Sequence, residues 1–404
     1  MAIAKGINKT LAYKLQSGLG VAASGAGGTA LRRVTGMLDI SKATYSNNEI
    51  ATHQQHVGDI HGIASTAGSV NGNLSGATYK DMFASVLRKV FTATAPITGA
   101  GITIAGSGPY TITRAAGDFL AGGIKIGDVI QLSAGAFNAN NLLNNILVTG
   151  VTATVLTCLT VNSGATLTAE GPISGSTVTV IGKKTIAPLT GHTNDYYTFE
   201  EWYSDIARSH LFPDVQIAST DITIPATGVV TSNFALVGLG GTTQAGAQVL
   251  TGPTGTTSSV VSSVSGFALV GGTRYATITT AQVKIDGQVA PGEAAIGSNT
   301  IADTNRGHIK VSGQFSATFD ADTLATPFIN ETLTSLVLVL ADSRTNNANF
   351  VSLSMPAVKL FSMTGDDGEK QIVRTYSFVA QINAAGGAAL ANDQTIISIQ
   401  DSLA

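Results

Sequence analysis

Cysteine is almost missing from this 404-residue chain. The single Cys158 sits in the run VLTCLTV, can form no internal disulfide, and reads as a small strand residue rather than a reactive thiol. That usage fits a reducing compartment. Charge is scarce too, at 12% of residues against roughly 25% in an average soluble protein. A surface so poor in charge resists association weakly, so the composition points to a chain whose natural state is an assembly. An exported β-rich surface or adhesin-like structural protein is the competing reading. The formal net charge of −3 leaves no basic patch to neutralise phosphates, which argues against tight DNA binding. No run of 18 apolar residues occurs. The N-terminal Met-Ala-Ile-Ala-Lys-Gly lacks the pattern of an export signal, so synthesis in the cytoplasm without a membrane anchor is expected. Aromatics, at 6%, are too few for the girdles of an outer-membrane barrel. Also missing are a nucleophile elbow, a Walker loop, a His-Glu-x-x-His helix and paired cysteines. No enzyme activity, cofactor or metal is expected.

What the chain has is a repeat. Val311 to Ala317 reads VSGQFSA, and Val70 to Gly76 reads VNGNLSG. Both keep valine, a small polar residue, glycine, an amide, a large apolar residue, serine and a small residue. Apolar and polar residues alternate, so each copy is expected as a strand whose glycine marks a bend or a close backbone neighbour. Arg32 to Tyr45 is echoed by Tyr275 to Pro291, and Val229 to Gly240 by Ile372 to Gln381. The expected fold is mainly β: two repeated β-domains, each with a flanking helix, plus one insertion.

In chain order, residues 1–30 read as a glycine-rich arm too irregular to hold a strand by itself. Gly18, Gly20 and Ala23 spell a dinucleotide fingerprint, but no buried strand precedes them and no helix pattern follows. The first repeat begins at residue 31 and runs to 94. Within it, Lys42 to Ser69 is a long polar connection carrying His53, His56 and His61 beside Gln54, Gln55 and Asp59. Three histidines suggest zinc, yet the spacing lacks a fourth ligand, so an arm that reaches a neighbouring subunit is the better reading. Thr78 is expected to cap a helix, with Asp81 in its first turn and a core stripe of Met82, Phe83, Val86, Leu87 and Val90.

Residues 95–189 lose helical pattern and show short alternating runs, so they are expected as a small β-barrel or sandwich inserted into the first repeat. Because the second repeat lacks such an insertion, it is expected to be dispensable. The first repeat resumes at 190–241. There Thr198 and Glu201 read as a capping box for a short helix, FEEWYSDIARSH, with Glu200, Glu201 and Asp205 pointing into water. Carboxylates beside Trp202 and Tyr203 also permit a glycosidase reading, which the outward placement disfavours. Residues 242–266 are a linker in composition, and 267–404 form the second repeat. It has its own long connection, Pro291 to Gly307, a helix-like segment over Leu324 to Leu333, and a hairpin turning at Gly365 to Gly368. Ser335 to Leu340 is nearly all apolar, hence buried on both faces or against another subunit.

The runs RRVTGMLDISKATYSNNEIATHQQ, HGIASTAGSVNGNLSGATYKDMFASVLRKVF, YTFEEWYSDI and VVTSNFALVGLG resemble the major tail tube proteins of long-tailed, non-contractile bacteriophages, and GSNTIADTNRGHIKVSGQFSATF resembles them again. That resemblance implies a twisted β-sandwich flanked by a helix, polymerised as stacked rings whose inner sheets join around a channel for double-stranded DNA. It implies that a long hairpin loop contacts the next ring, here with Asn47, Asn48, Glu49, His53, His56, Asp59 and His61 as candidates. In the second repeat the corresponding candidates are Glu293, Asn299, Asp303 and Arg306. The implied partners are further copies of the chain, a tape measure protein, and tail terminator or tip proteins. The insertion would decorate the outside. Four strands per repeat at about 4.8 Å spacing make six repeats a ring roughly 37 Å across, whereas three give roughly 18 Å, too narrow once side chains fill it. With two repeats per chain, three chains per ring are expected, six being the alternative.

Overall fold

The computed structural model describes residues 3–50, 52–53, 55–366 and 369–404; of the expected sites, Gln54 and the turn residues Asp367 and Gly368 lie outside the described residues. The chain is mainly β. Its centre is one antiparallel sheet built twice over. In the first repeat β1 (Thr35–Ser46) pairs with β2 (Asp59–Asn73), β2 with β4 (Thr231–Gly238), and β4 with β3 (Arg208–Ile224). The second repeats this order: β5 (Ile278–Asp286) pairs with β6 (Lys310–Thr318), β6 with β8 (Val373–Ala380), and β8 with β7 (Phe350–Gly365). Strands β3 and β5 pair from Ser219 opposite Asp286 to Ile224 opposite Ala281, so the two halves form one eight-stranded sheet. The repeated heptapeptides fall on the second strand of each half: Val311 to Ala317 lies wholly within β6, whereas Val70 to Gly76 starts in β2 and runs past its end at Asn73. A Cβ on Gly72 would strike the Tyr79 hydroxyl, and one on Gly313 would strike the Gln282 carbonyl and the Phe378 ring. The shared glycine is therefore a close-approach position in both copies.

Alternation gives this sheet one apolar face. Val70, Phe234, Ile222, Val283, Val311, Phe315 and Phe378 are all buried in one core. Helix α1 (Lys80–Leu87) covers the first half with Met82, Phe83, Val86 and Leu87; Phe83 meets Phe234 edge to face at 5.2 Å between ring centroids. Eight residues are too few for a stable isolated helix, so those four side chains, worth about 2 kcal/mol each when buried, hold it in place. Val90 lies past the helix end and is exposed, and Arg88 terminates the helix in the left-handed region at φ 59°. Thr78 does not cap: its hydroxyl pairs with Ser75 and Thr256 instead. The second repeat keeps only a short helix, α2 (Thr326–Ile329), rather than one over Leu324 to Leu333.

A second layer closes each core. The strand Lys9–Leu15 pairs with Tyr197–Tyr203, which pairs with the first half of β3. Likewise Ser262–Val270 pairs with Thr334–Ala341, which pairs with the first half of β7. Two expectations fall here. The first 30 residues are not all loose, because Leu11, Ala12 and Tyr13 are buried mid-strand. The segment 197–203 is a strand, not a capped helix: Thr198 accepts a hydrogen bond from the Ala23 N–H, and Phe199 stacks on Tyr13. Its aromatic-rich sequence suits a pleated surface better than a helix. Glu200 and Glu201 do not face water. Buried Glu200 accepts from Ser209 Oγ at 2.6 Å and from the N–H groups of Val249 and Leu250 at 2.7 and 2.8 Å. Buried Glu201 meets Lys9 Nζ at 2.8 Å and the Leu38 N–H at 3.1 Å. Consecutive strand residues point to opposite faces, so the two carboxylates are fully used structural anchors and no glycosidase pair. Through Glu200 they also tie down the segment 242–266, where Leu250 is wholly buried.

The six strands between Ile97 and Val180 close as a barrel with its own core around Ile112, Phe119, Leu156 and Cys158. Although inserted in the first repeat, the barrel docks on the second: Val129, Leu147 and Val161 share a cluster with Leu269, Val337, Val339 and Phe350. This explains the apolar run Ser335 to Leu340. Leu336, Leu338 and Leu340 face the main core, while Val337 and Val339 face the barrel. The dock is polar at its rim. Lys184 Nζ lies 2.9 Å from both Asp128 and Asp393, and Lys125 Nζ donates to the carbonyls of Gly387, Ala388 and Leu390. The strand Lys183–Ile186, inside the expected insertion, leaves the barrel and pairs with Ser398–Asp401.

Candidate functional site: an open sheet face, two free edges and two arms

Opposite the apolar core, the eight-stranded sheet presents a face that no second layer covers among the described residues. Following the pairing register across it, one row reads Thr35, Asn71, Asn233, Asp221, Lys284, Ser312, Val379 and Lys359. The next reads Asn73, Thr231, Thr223, Gln282, Gln314, Ser377 and Ser362. Amides and hydroxyls dominate, and the central charges, Asp221 and Lys284, are opposite in sign and directly across from each other. Such a surface carries dipoles but almost no net charge, so it has little with which to displace counterions from a polyanion. Sequence reading named none of these residues as functional. The signal was available in the polar positions alternating with the core positions of each strand.

The sheet ends in two edges that no strand pairs among the described residues. On β1 the Gly36 carbonyl and the Leu38 N–H are taken by the Lys9 ammonium and the Glu201 carboxylate, so that edge is open only beyond Leu38. Among the described residues no strand pairs with the outer side of β1. At the other end, the strand Thr334–Ala341 accompanies β7 only as far as Val358, leaving the outer side of Lys359 to Gly365 free among the described residues. Exposed apolar side chains collect at both ends: Val34, Met37, Tyr45 and Ile60 near β1, and Ile329, Leu333 and Phe361 near β7. Free edges of this kind are templates for pairing with another chain.

The long connections differ. Lys42 to Ser69 is not a loop throughout: β1 and β2 stay paired out to Ser46 opposite Asp59, so a two-stranded arm carries a tip at 47–58. Neither strand of that arm has a buried face near the tip, so the alternation that signals a strand is missing there. Asn48, Glu49, His53, His56, Asp59 and His61 are exposed, and Asn47 is half-buried. Asn47 and Glu49 bond each other, and His56 lies 3.1 Å from Asp59. The three histidines do not converge: among the described residues no group of three or more His, Cys, Asp or Glu could hold a metal ion. In the second repeat the connection turns back onto the first. The Asn299 carbonyl accepts from the Ala64 N–H at 3.1 Å, Tyr196 donates its hydroxyl hydrogen to Asp303, and Arg306 donates to Gln216 at 3.2 Å and to the Thr193 carbonyl at 2.9 Å. Burial lowers the pKa of the Arg306 guanidinium. Glu293 stays exposed.

A duplicated sheet with an open polar face and two edges left unpaired among the described residues defines a β-rich protein of structural rather than catalytic type. The particular family follows from the sequence over nearly its whole length. Residues 6–388 match a family model described as phage tail tube protein, and the chain belongs to that family. No curated protein matches the chain significantly.

Proposed function

We propose that this protein is a passive wall element in the tail of a long-tailed, non-contractile bacteriophage. Made in the host cytoplasm, it assembles head to tail into rings that stack as a tube, and double-stranded DNA passes through the bore during ejection. The observation that carries this reading is the eight-stranded sheet with a nearly neutral open face and a free edge at each end. Pairing β7 of one chain with β1 of the next continues the sheet, and a heterologous contact of this kind makes a ring where the rotation between chains closes. Three chains, each bringing eight strands at about 4.8 Å, give a cylinder roughly 37 Å across before tilt widens it. Three per ring, with pseudo-sixfold symmetry, is therefore favoured over six.

In this arrangement the open face lines the bore. A lining of amides and hydroxyls does not grip a polymer that carries one charge per about 1.7 Å. The barrel supports the same orientation, since it docks on Val337 and Val339, across the core from the open face, and so projects outward. The chain works without catalysis. By family resemblance it meets a tape measure protein in the bore and terminator or tip proteins at the tube ends. Electron cryomicroscopy of the purified, assembled protein tests the reading: tubes with three chains per ring are expected, and six whole copies related by strict sixfold symmetry would refute the stoichiometry. A submicromolar, salt-sensitive affinity for duplex DNA would refute the passive bore.

A further inference from the structure

We propose that the first arm, with its tip at 47–58, clasps the second repeat of the neighbouring chain within the same ring, rather than serving only as a contact to the next ring. The inference rests on the ring reading above and on a template within the chain. The second arm, Pro291 to Gly307, already does this in cis. It leans on the base of the first arm through Asn299 and Ala64, and on the first repeat's flank through Tyr196, Gln216 and Thr193. That contact accompanies the β3–β5 strand pairing, which joins the two repeats side by side in one sheet. A ring of such chains alternates this junction with an equivalent one between chains. If the strand pairing recurs there, the arm that flanks it recurs too.

The second repeat has a place for it. In the first repeat β2 and β4 remain paired out to Thr66 opposite Gly238, and the second arm lands at Ala64, just beyond. In the second repeat the corresponding pair, β6 and β8, parts after Val311 opposite Ala380. Just beyond that point lies a cleft of about 610 Å³, lined by Leu189, His308, Ile309, Ile382 and Ile396 along with Arg88 and Arg306. The first arm carries the matching chemistry. Ile50, Val57 and Ile60 are exposed on it, Ile60 directly across from the equally exposed Tyr45, which is costly on a chain otherwise so polar at its surface. The occupant of the cleft is thus the apolar side of a second copy's arm. Each arm in the ring then leans on the base of the arm before it, alternately in cis and in trans.

Two variants test this. In a full-length Val57→Cys/Ile382→Cys chain, a short bis-maleimide should join neighbouring subunits into ladders ending at the ring size, with buried Cys158 unreactive. The ladder should appear in assembled protein and vanish on dilution to monomers. Replacing 47–58 by a two-residue Asn-Gly turn should abolish closed rings. If the shortened chain instead forms intact single rings that fail to stack, or if the double variant assembles without cross-linking, the arm's partner is not the lateral neighbour and the proposal falls. Failure of the unaltered chain to form rings would overturn the tube reading itself, a result distinct from either of these.

Discussion

The two repeats share a four-strand order but spend their appendages differently. The first donates a barrel in sequence and projects an arm whose described tip residues are mostly exposed; the second receives the barrel in space and folds its arm back onto the first. Joining two copies in one chain has therefore made one junction permanent while leaving an unpaired edge at each end of the sheet among the described residues. A single-repeat protein must form both kinds of contact between chains. In the proposed ring half of them would be intramolecular, which would remove the entropy of association at every second junction.

The strongest way to break this comparison is to remove the barrel. Its absence from the second repeat suggests that it is dispensable, but its docking shows what deletion exposes. Excising 95–189 also removes Lys183–Ile186, the partner of Ser398–Asp401, and uncovers Leu269, Val337, Val339 and Phe350. We expect that deletion to yield insoluble protein, whereas excising 97–180 with polar replacements at Val337 and Val339 should yield a soluble chain that still assembles. Solubility and electron microscopy of both variants decide it; a soluble, tube-forming 95–189 deletion would mean that the dock is incidental.

Next in size is the charge triad, Lys184 between Asp128 and Asp393, that ties the barrel to the second repeat. Lys184→Met leaves Asp128 and Asp393 facing each other without their cation, a loss of about 3–5 kcal/mol that chemical denaturation would register. Burial alone would lower the Lys184 pKa, but Asp128 and Asp393 outweigh it and raise the value above the ordinary 10.5. A lysine raised in the folded state contributes stability fully below its unfolded pKa and loses it as pH rises through the folded one. The wild-type chain should thus lose stability above about pH 10.5, and Lys184→Met should flatten that decline. An unchanged alkaline profile in the variant would show that the triad does not contribute.

How much of this was legible beforehand depends on the range over which each signal acts. The repeat was readable because Val70, Gly72 and Leu74 answer Val311, Gly313 and Phe315 residue for residue, and core positions tolerate little change. The Thr198-x-x-Glu201 pattern misled, because a capping box is a local signature while the strand at 197–203 is fixed by Lys9–Leu15, far away in sequence. The docked arm was illegible for the same reason: Asp303 and Arg306 find their partners 107 and 113 residues away. The open face was readable in principle, but polar residues alternating with a core look the same whether they line a bore or meet bulk water.

A finer comparison sets the two conserved glycines against each other. At Gly72 the obstacle to a Cβ is the end of the Tyr79 side chain, whose hydroxyl donates to the Arg32 carbonyl; at Gly313 it is the Gln282 backbone carbonyl together with the Phe378 ring. A tyrosine hydroxyl can withdraw by a small rotation at the cost of one hydrogen bond. A carbonyl in a paired strand cannot move without its ladder. Gly313→Ala should therefore cost about 2–3 kcal/mol and Gly72→Ala about 1–2, both within the range for overpacking a core. Equal losses would mean that the two copies are packed alike despite their different neighbours.

The smallest effect on folding, and the sharpest on function, should come from charging the open face. Asn233 and Gln314 are polar, point away from the core, and sit one in each repeat, so Asn233→Lys with Gln314→Lys adds a cation per repeat without burying one. Stability should change by no more than about 0.5 kcal/mol, as for other surface substitutions. In a closed ring of three chains the same two changes place six extra cations around the bore. Binding of a polyanion gains through counterion release, with a salt slope that grows by roughly 0.9 for each phosphate contact made. Assembled tubes of the double variant should retain short duplex DNA at low salt and release it as salt rises, while wild-type tubes should not retain it at either. If the variant tubes bind DNA no better than the wild type, this face does not line the bore, and the orientation of the sheet in the ring must be reversed.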